Sequence, residues 1–209
     1  MRLTVIGATG GIGTEVVRQA LDAGHEVTAA VRDPARMAVT APDRLRVVQA
    51  NVLDAEAVLP AVKGADAVVS ALGPRRGGPA TVVSDGARAA LTAMDAAAVR
   101  RLVIVSANGA YDDPGDGLAA RLVVKPILQR VLREGFADLH QMEDLVRARH
   151  TDWTIVRPPR LTNRPRTGRY RTAVDAHVGT SIARADVADA ILAALADPAT
   201  IGHHLGVGR

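Results

Sequence analysis

Seven residues near the start of the chain, Gly7-Ala8-Thr9-Gly10-Gly11-Ile12-Gly13, combine types and spacing that could do chemistry. Glycines so spaced let a backbone turn tightly and approach a pyrophosphate. A helix starting there adds free N–H groups and the positive end of its dipole. A glycine cluster can also serve a plain turn, so the setting decides. A β-branched run, Leu3–Ile6, comes before it, a helical pattern from Thr14 to Ala23 comes after it, and further strand–helix units follow. Gly7, Thr9, Gly10, Gly11, Ile12 and Gly13 are therefore the candidate dinucleotide cradle.

The end of the second strand bears on which dinucleotide. A carboxylate there accepts hydrogen bonds from a ribose 2′-OH, whereas an arginine accommodates a 2′-phosphate. The strand Glu26–Val31 delivers Arg32, with Arg36 one turn on, while Asp33 is well placed to cap the turn that Pro34 opens. Arg32 and Arg36 favour NADP(H). NAD(H) is the alternative, with Asp33 on the ribose and Arg32 in solvent.

The elements that must hold these groups alternate along the chain. Strands are expected at Leu3–Ile6, Glu26–Val31, Leu45–Gln49, Ala67–Ala71, Arg101–Ser106 and Asp152–Arg157. Between them lie helices at Thr14–Ala23, Ala55–Val62 and Thr81–Ala98, stopped by Gly24 and Gly64 in the first two cases. This rhythm predicts an α/β fold: a doubly wound parallel sheet, Rossmann-like, with helices on both faces, in a single domain over 1–209. Two regions break it. Residues 107–151 read as a loop, a helix broken near Pro126 and a second helix from Ala137 to Ala148. Residues 158–181 read as a long loop with one short strand, and with 107–135 they would form a small substrate-side region. An amphipathic helix, Asp186–Ala196, and an edge strand, Ile201–Val207, complete the chain.

Composition excludes several function classes. Without cysteine there are no disulfides, thiolate nucleophiles or Cys-ligated metals, and the chain suits a reducing cytoplasm. No signal-like segment precedes the first strand and no apolar run is long enough to span a membrane, so a cytoplasmic location with no membrane partner is expected. Aromatic residues are only 2% of the chain, leaving little to stack on nucleic-acid bases. The net charge of +4 is local: Arg157, Arg160, Arg164, Arg166, Arg169 and Arg171 lie in one stretch without an acid, and removing these six leaves −2. Such a patch fits one anionic small-molecule substrate or a solvated loop better than a nucleic-acid partner. Assembly as a monomer or a homodimer is open.

Taken in order, these segments resemble the atypical short-chain dehydrogenase/reductase group, in particular its NmrA-like and biliverdin/flavin-reductase-like members. The resemblance rests on GATGGIG at 7–13, VRDPAR at 31–36, NVLD at 51–54, SALG at 70–73, VSANGAY at 105–111, DWTIVRPPRLTN at 152–163 and ARADVADAIL at 183–192. It covers nearly the whole chain. It implies adenine contacts from Asn51 and Val52, and central ribose contacts from Ala71, Leu72 and Gly73. It also implies a turn beside the nicotinamide at Pro158, and places Ser106 at the serine position of the wider superfamily.

One departure bears on mechanism. The wider superfamily pairs that serine with Tyr-x-x-x-Lys, the tyrosine protonating a nascent alkoxide and the lysine lowering its pKa. Here neither Tyr111 nor Tyr170 has a lysine four residues on, and Gly135 and Leu139 stand where the pair would be expected. Reduction of an isolated ketone needs a positioned acid. A flavin, quinone or linear tetrapyrrole yields a delocalised anion that solvent can protonate, so the resemblance implies an NADP(H)-dependent reductase for a conjugated acceptor. A non-catalytic NADP-binding redox sensor and a cofactor-retaining isomerase are the alternatives.

Ser106 and His140 are the candidate catalytic residues, and Tyr111 and Arg160 the candidate substrate contacts. Ser106 could instead satisfy nearby backbone, and His140 could be an ordinary surface residue. Arg157 is read as a structural strand-end residue. His203-His204 reads as edge-strand polarity rather than a metal site, for want of a nearby carboxylate or third histidine. Asp112, Asp113 and Asp116 lack the order of a calcium loop. No metal is expected.

Overall fold

In a computed structural model of the protein, the described residues are 1–41, 43–74, 80–111 and 133–209. Strands β1 (Arg2–Ile6), β2 (Glu26–Val31), β3 (Leu45–Gln49), β4 (Ala67–Ser70), β5 (Arg101–Val105) and β6 (Asp152–Arg157) pair in parallel in the order β3-β2-β1-β4-β5-β6. The order reverses between β1 and β4, which opens a crevice at their carboxyl ends, where such sheets take ligands.

Side chains alternate across the strands, so the sheet has a core on each face. On one face Leu3, Val5, Val27 and Ala29 meet α1 (Gly11–Asp22) and α5 (Arg184–Ala196) through Val16, Val17, Val187 and Ile191. On the other, Ile6, Ala30, Val68, Leu102 and Ile104 meet α2 (Ala55–Val62), α3 (Val82–Ala97) and α4 (Arg133–Arg147) through Val58, Leu91, Met94 and Met142. Small and branched aliphatics fill both cores.

The start of α3 is capped from another helix. The Thr81 hydroxyl is drawn to Asp85 at 2.7 Å and caps nothing. Asp138 of α4, itself buried, accepts from the N–H groups of Val83 at 2.8 Å and Ser84 at 2.9 Å. Two of the helix's orphan donors are thereby satisfied, and α4 is fixed against α3 beside the crevice.

Three expectations need correction. The last strand, β10 (His203–Gly208), is interior rather than an edge: it pairs in parallel with β6 and antiparallel with β8 (Arg171–Val174), and β8 forms the edge. Gly206 and Gly208 permit this, since a Cβ on either would stand 2.0 Å from the carbonyl oxygens of Ala176 and Val178. The segment 158–181 holds more than one short strand, because β7 (Arg160–Thr162) pairs with β9 (Ser181–Ala183) in a second small sheet and β8 joins the main one. Helix α5 is covered on most of its surface rather than along one stripe, with Ala185, Val187, Ala188, Ala190, Ile191, Ala194 and Leu195 all buried.

The arginine-rich stretch is strapped to that helix. Asp186 is fully buried and accepts from the N–H groups of Thr167 at 2.7 Å and Gly168 at 2.9 Å, and from the Thr167 hydroxyl at 2.9 Å. The Tyr170 hydroxyl donates to Asp189 at 2.8 Å, and Arg166 pairs with the same carboxylate. The helix expected from Ala137 to Ala148 runs from Arg133 to Arg147. The break near Pro126 and the acids Asp112, Asp113 and Asp116 lie outside the described residues.

Candidate functional site

A cavity of about 510 Å³ opens at the β1–β4 crevice. One end is the glycine turn, with Gly7, Thr9, Gly10, Gly11 and Ile12 in its wall, and Arg32 stands at its side. Val52, Leu53, Ala71, Leu72 and Gly73 line the middle. The far end is mostly apolar, built from Val105, Ala107, Phe136, Leu139 and Leu161, with Ser106 its polar group. Gly135 and Leu139, where the Tyr and Lys of the wider superfamily are expected, both line this end, so neither of these two positions supplies a phenol or an ammonium there.

The turn is shaped for close approach. Gly7 has φ +83°, and a Cβ on it would lie 2.8 Å from the Ala71 carbonyl oxygen. A Cβ on Gly13 would lie 2.2 Å from the Gly7 carbonyl oxygen. Gly13 thus lies behind the wall and lets α1 pack on β1. Gly10 is the N-cap and has no side chain to cap the helix, so the first N–H groups of α1 remain available to an anion. The cradle fits a pyrophosphate.

At the edge of β2, Asp33 is occupied: its side chain accepts from the Ala35 N–H at 3.1 Å and caps the single turn Pro34–Arg36. Among the described residues no acid pairs with Arg32, which is exposed at the cavity wall. Arg36 is exposed on the turn and does not line the cavity. Asn51 does not line it either; its side chain accepts from the Leu53 N–H at 3.3 Å and shapes the loop that carries Val52. Pro158 is buried behind the far end, its carbonyl accepting from the Asn108 N–H at 2.9 Å.

Behind Ser106 lies a buried polar cluster centred on Glu143, which is only 1% exposed. The Ser106 hydroxyl donates to Glu143 Oε1 at 2.7 Å. Arg157 grips both carboxylate oxygens, Nε to Oε1 at 2.9 Å and Nη2 to Oε2 at 2.5 Å, and Arg147 adds a contact at 3.0 Å. Burial alone would raise the Glu143 pKa. Hydrogen bonds from Arg157 and Ser106 and the Arg157 charge outweigh it, so the group stays ionised below its ordinary value. The Arg157 guanidinium lies 3.6 Å from the centroid of the Tyr111 ring, whose hydroxyl faces Glu143. Burial and that carboxylate push the Tyr111 phenol above its usual range.

The candidate residues thus divide. Ser106 lines the cavity. Tyr111 packs against Arg157 and meets the His140 ring edge-on at 4.5 Å, and neither Tyr111 nor His140 is in the wall. Arg160 is exposed on β7, while its neighbour Leu161 lines the cavity.

The sequence matches the profile of the NAD(P)H-binding family over residues 7–198. The chain belongs to that family. This NAD(P)H-binding protein fits the atypical short-chain dehydrogenase/reductase group. It is 29% identical over 201 residues to YhfK of Bacillus subtilis, described as an uncharacterized sugar epimerase, covering 93% of this chain and 88% of that one. Over 65 residues it is 51% identical to a 3-diazoavenalumate denitrifying reductase of Streptomyces, a match spanning 31% of this chain and 20% of that enzyme. Among solved structures, a short-chain dehydrogenase/reductase of Veillonella parvula in complex with NADP superposes with a TM-score of 0.81 at 22% identity, covering 100% of this chain and 94% of that one. The oxidoreductase ylbE of Lactococcus lactis gives 0.82 at 20%, covering 100% and 91%. At such identities they establish the fold of the NAD(P)H-binding protein.

Glu143 and Arg184 are two residues at this site that are not singled out in the sequence, although Arg184 stands within the ARADVADAIL segment of the resemblance. Glu143 is one of several acids on α4, and only the closure of α4 onto β6 brings it to Ser106 and Arg157. Arg184 lines the cavity from the start of α5, 171 residues after Gly13. Spacing along the chain could have found neither.

The histidine pair differs from expectation. Asp175 supplies a carboxylate to both rings, 2.6 Å from His203 Nδ1 and 3.0 Å from His204 Nδ1, and the His177 ring stands 6.4 Å from that of His204. Even so, no group of three or more His, Cys, Asp or Glu among the described residues is arranged to hold a metal ion. No helix among them is long and apolar enough to cross a membrane.

Proposed function

We propose that this protein is an NADP(H)-dependent reductase that delivers hydride to a conjugated small-molecule acceptor of the flavin, quinone or tetrapyrrole kind. The cradle at Gly7–Gly13 would hold the pyrophosphate, and Arg32 the 2′-phosphate. When bound, the nicotinamide supplies the hydride.

The observation that carries the reading is the Ser106–Glu143 hydrogen bond. A serine whose proton is committed to a carboxylate offers lone pairs to the cavity, not a proton. Glu143 is held ionised, the Tyr111 phenol is made a weaker acid, and His140 stands outside the wall. Among the described residues, the cavity wall therefore presents no acid for an alkoxide. An acceptor that spreads the incoming charge over a conjugated system needs none, and the apolar far end provides surface to orient it.

Purified protein mixed with NADPH and a panel of flavins, quinones and linear tetrapyrroles would be followed at the reduced-nicotinamide absorbance band. Turnover of at least one member is expected, with a rate nearly flat from about pH 6 to 8, because among the described residues the cavity wall holds no histidine or carboxylate. Tight NADPH binding with no turnover on any member would overturn the reductase reading and favour a redox sensor. The epimerase description of YhfK favours a different second reading, interconversion of sugar isomers with the cofactor retained. Turnover of a nucleotide sugar without net NADPH consumption would establish it.

A further inference from the structure

Two cavities meet at one side chain. Besides the crevice, a hollow of about 290 Å³ lies on the outer side of the glycine turn, and Thr9, Gly10, Gly11 and Arg184 line both. Arg184 is the first residue of α5. Its stem crosses the turn directly over Gly11: a Cβ there would stand 2.6 Å from Arg184 Cδ and 2.8 Å from Nε. The missing side chain at Gly11 is what gives the arginine its path.

The guanidinium is poorly matched where it lies. Nη1 donates to the amide oxygen of Asn163 at 2.5 Å, a neutral partner. Among the described residues no carboxylate pairs with it; Glu15, which lines the outer hollow with it, pairs with Arg18 through Oε1 and leaves its buried Oε2 without a partner. An arginine fork with one neutral acceptor keeps donors and a full charge for an anion. Glu15 lines the outer hollow and makes that side unfavourable to one. On the inner side are the free N–H groups at the start of α1, which also call for negative charge.

We propose that Arg184 is a pyrophosphate clamp, closing over the cofactor's central phosphates from α5 while the glycine turn holds them from α1. This rests on the dinucleotide reading above. The clamp does not involve the 2′-phosphate, so it serves NADPH and NADH equally. The late helix and its arginine strap thereby become part of the cofactor site.

Calorimetric titrations of wild type, Arg184→Gln and Arg184→Lys with NADPH, NADH and adenosine 2′-monophosphate test this. Gln preserves the stem over Gly11 and removes the charge. It should weaken both dinucleotides by about 10- to 100-fold and leave the monophosphate, which has no pyrophosphate, within about twofold. Lys, a point charge without a fork, should restore part of the loss. Unchanged NADPH and NADH binding in Arg184→Gln overturns the clamp alone, as does an equal loss for all three ligands. A wild-type protein that binds neither dinucleotide overturns the cofactor reading and the clamp together.

Discussion

Ser106 Oγ lies 2.7 Å from Glu143 Oε1, and the serine proton is spent on that carboxylate. The same oxygen accepts from Arg157 Nε at 2.9 Å, so serine and arginine share one acceptor at the end of β5 and β6. The stability of the far end of the cavity and the chemistry open to it depend on this one buried charge.

Glu143→Gln keeps the shape and removes the charge, leaving Arg157 buried without its counter-ion. Breaking one partner of a buried pair costs on the order of 3–5 kcal/mol, measurable by urea denaturation. The pH dependence has a definite sign. Folding holds the Glu143 carboxyl below its ordinary value of 4.5. Its contribution is therefore complete above that value and disappears as pH falls through the lower, folded one. The gap between wild type and Glu143→Gln should be full at neutral pH and narrow on acidification; a gap constant with pH would rule out the ionised pair.

Arg32→Ala separates the two nicotinamide cofactors. Loss of a charged grip on a phosphate corresponds to about 10- to 100-fold in Kd for NADPH. NADH, which has no 2′-phosphate, should change by no more than about twofold. Equal weakening of both would remove the basis for preferring NADP(H).

Two glycine variants test whether the turn is needed for its space or only for its backbone freedom. Gly13→Ala places a methyl 2.2 Å from the Gly7 carbonyl oxygen, backbone that cannot move without opening the cradle. It should lower Tm and abolish cofactor binding together. Gly24, after α1, has φ +85° and nothing within 4 Å of a built Cβ. Gly24→Ala should cost only about 1–2 kcal/mol of backbone strain and leave cofactor titration unchanged.

Asp186→Ala cuts the strap. Two N–H groups and a hydroxyl lose their buried acceptor, a loss of about 2–4 kcal/mol. Trypsin should then cleave faster after Arg166 and Arg169, read by mass spectrometry of timed digests. Unchanged cleavage would mean that the stretch is held by something other than α5.

Much of this was legible in the chain because it is local. The strands at 26–31, 45–49 and 152–157 and the helix at 55–62 have the boundaries their apolar patterns and glycine stops imply. The cradle follows from seven consecutive residues, and the capping role of Asp33 from the proline beside it. What stayed hidden is long-range. The interior place of β10 is one case, since the use of its glycines emerges only when 176–179 lies against them. Glu143 and Arg184 act across distances of sequence that spacing does not encode. Asp186 looks like an ordinary first-turn acid until Thr167 and Gly168 arrive to donate to it.

The interior position of β10 has a consequence for how the protein is made. β6 and β8 both leave the ribosome before the strand that joins them, so until residues 203–208 emerge the growing sheet ends at β6 with an open row of backbone donors and acceptors. Such an edge invites pairing with other chains. The nascent protein is thus vulnerable to aggregation in the interval before β10 is delivered, and substitutions that slow insertion of β10 should reduce soluble yield more than they reduce the stability of the finished fold.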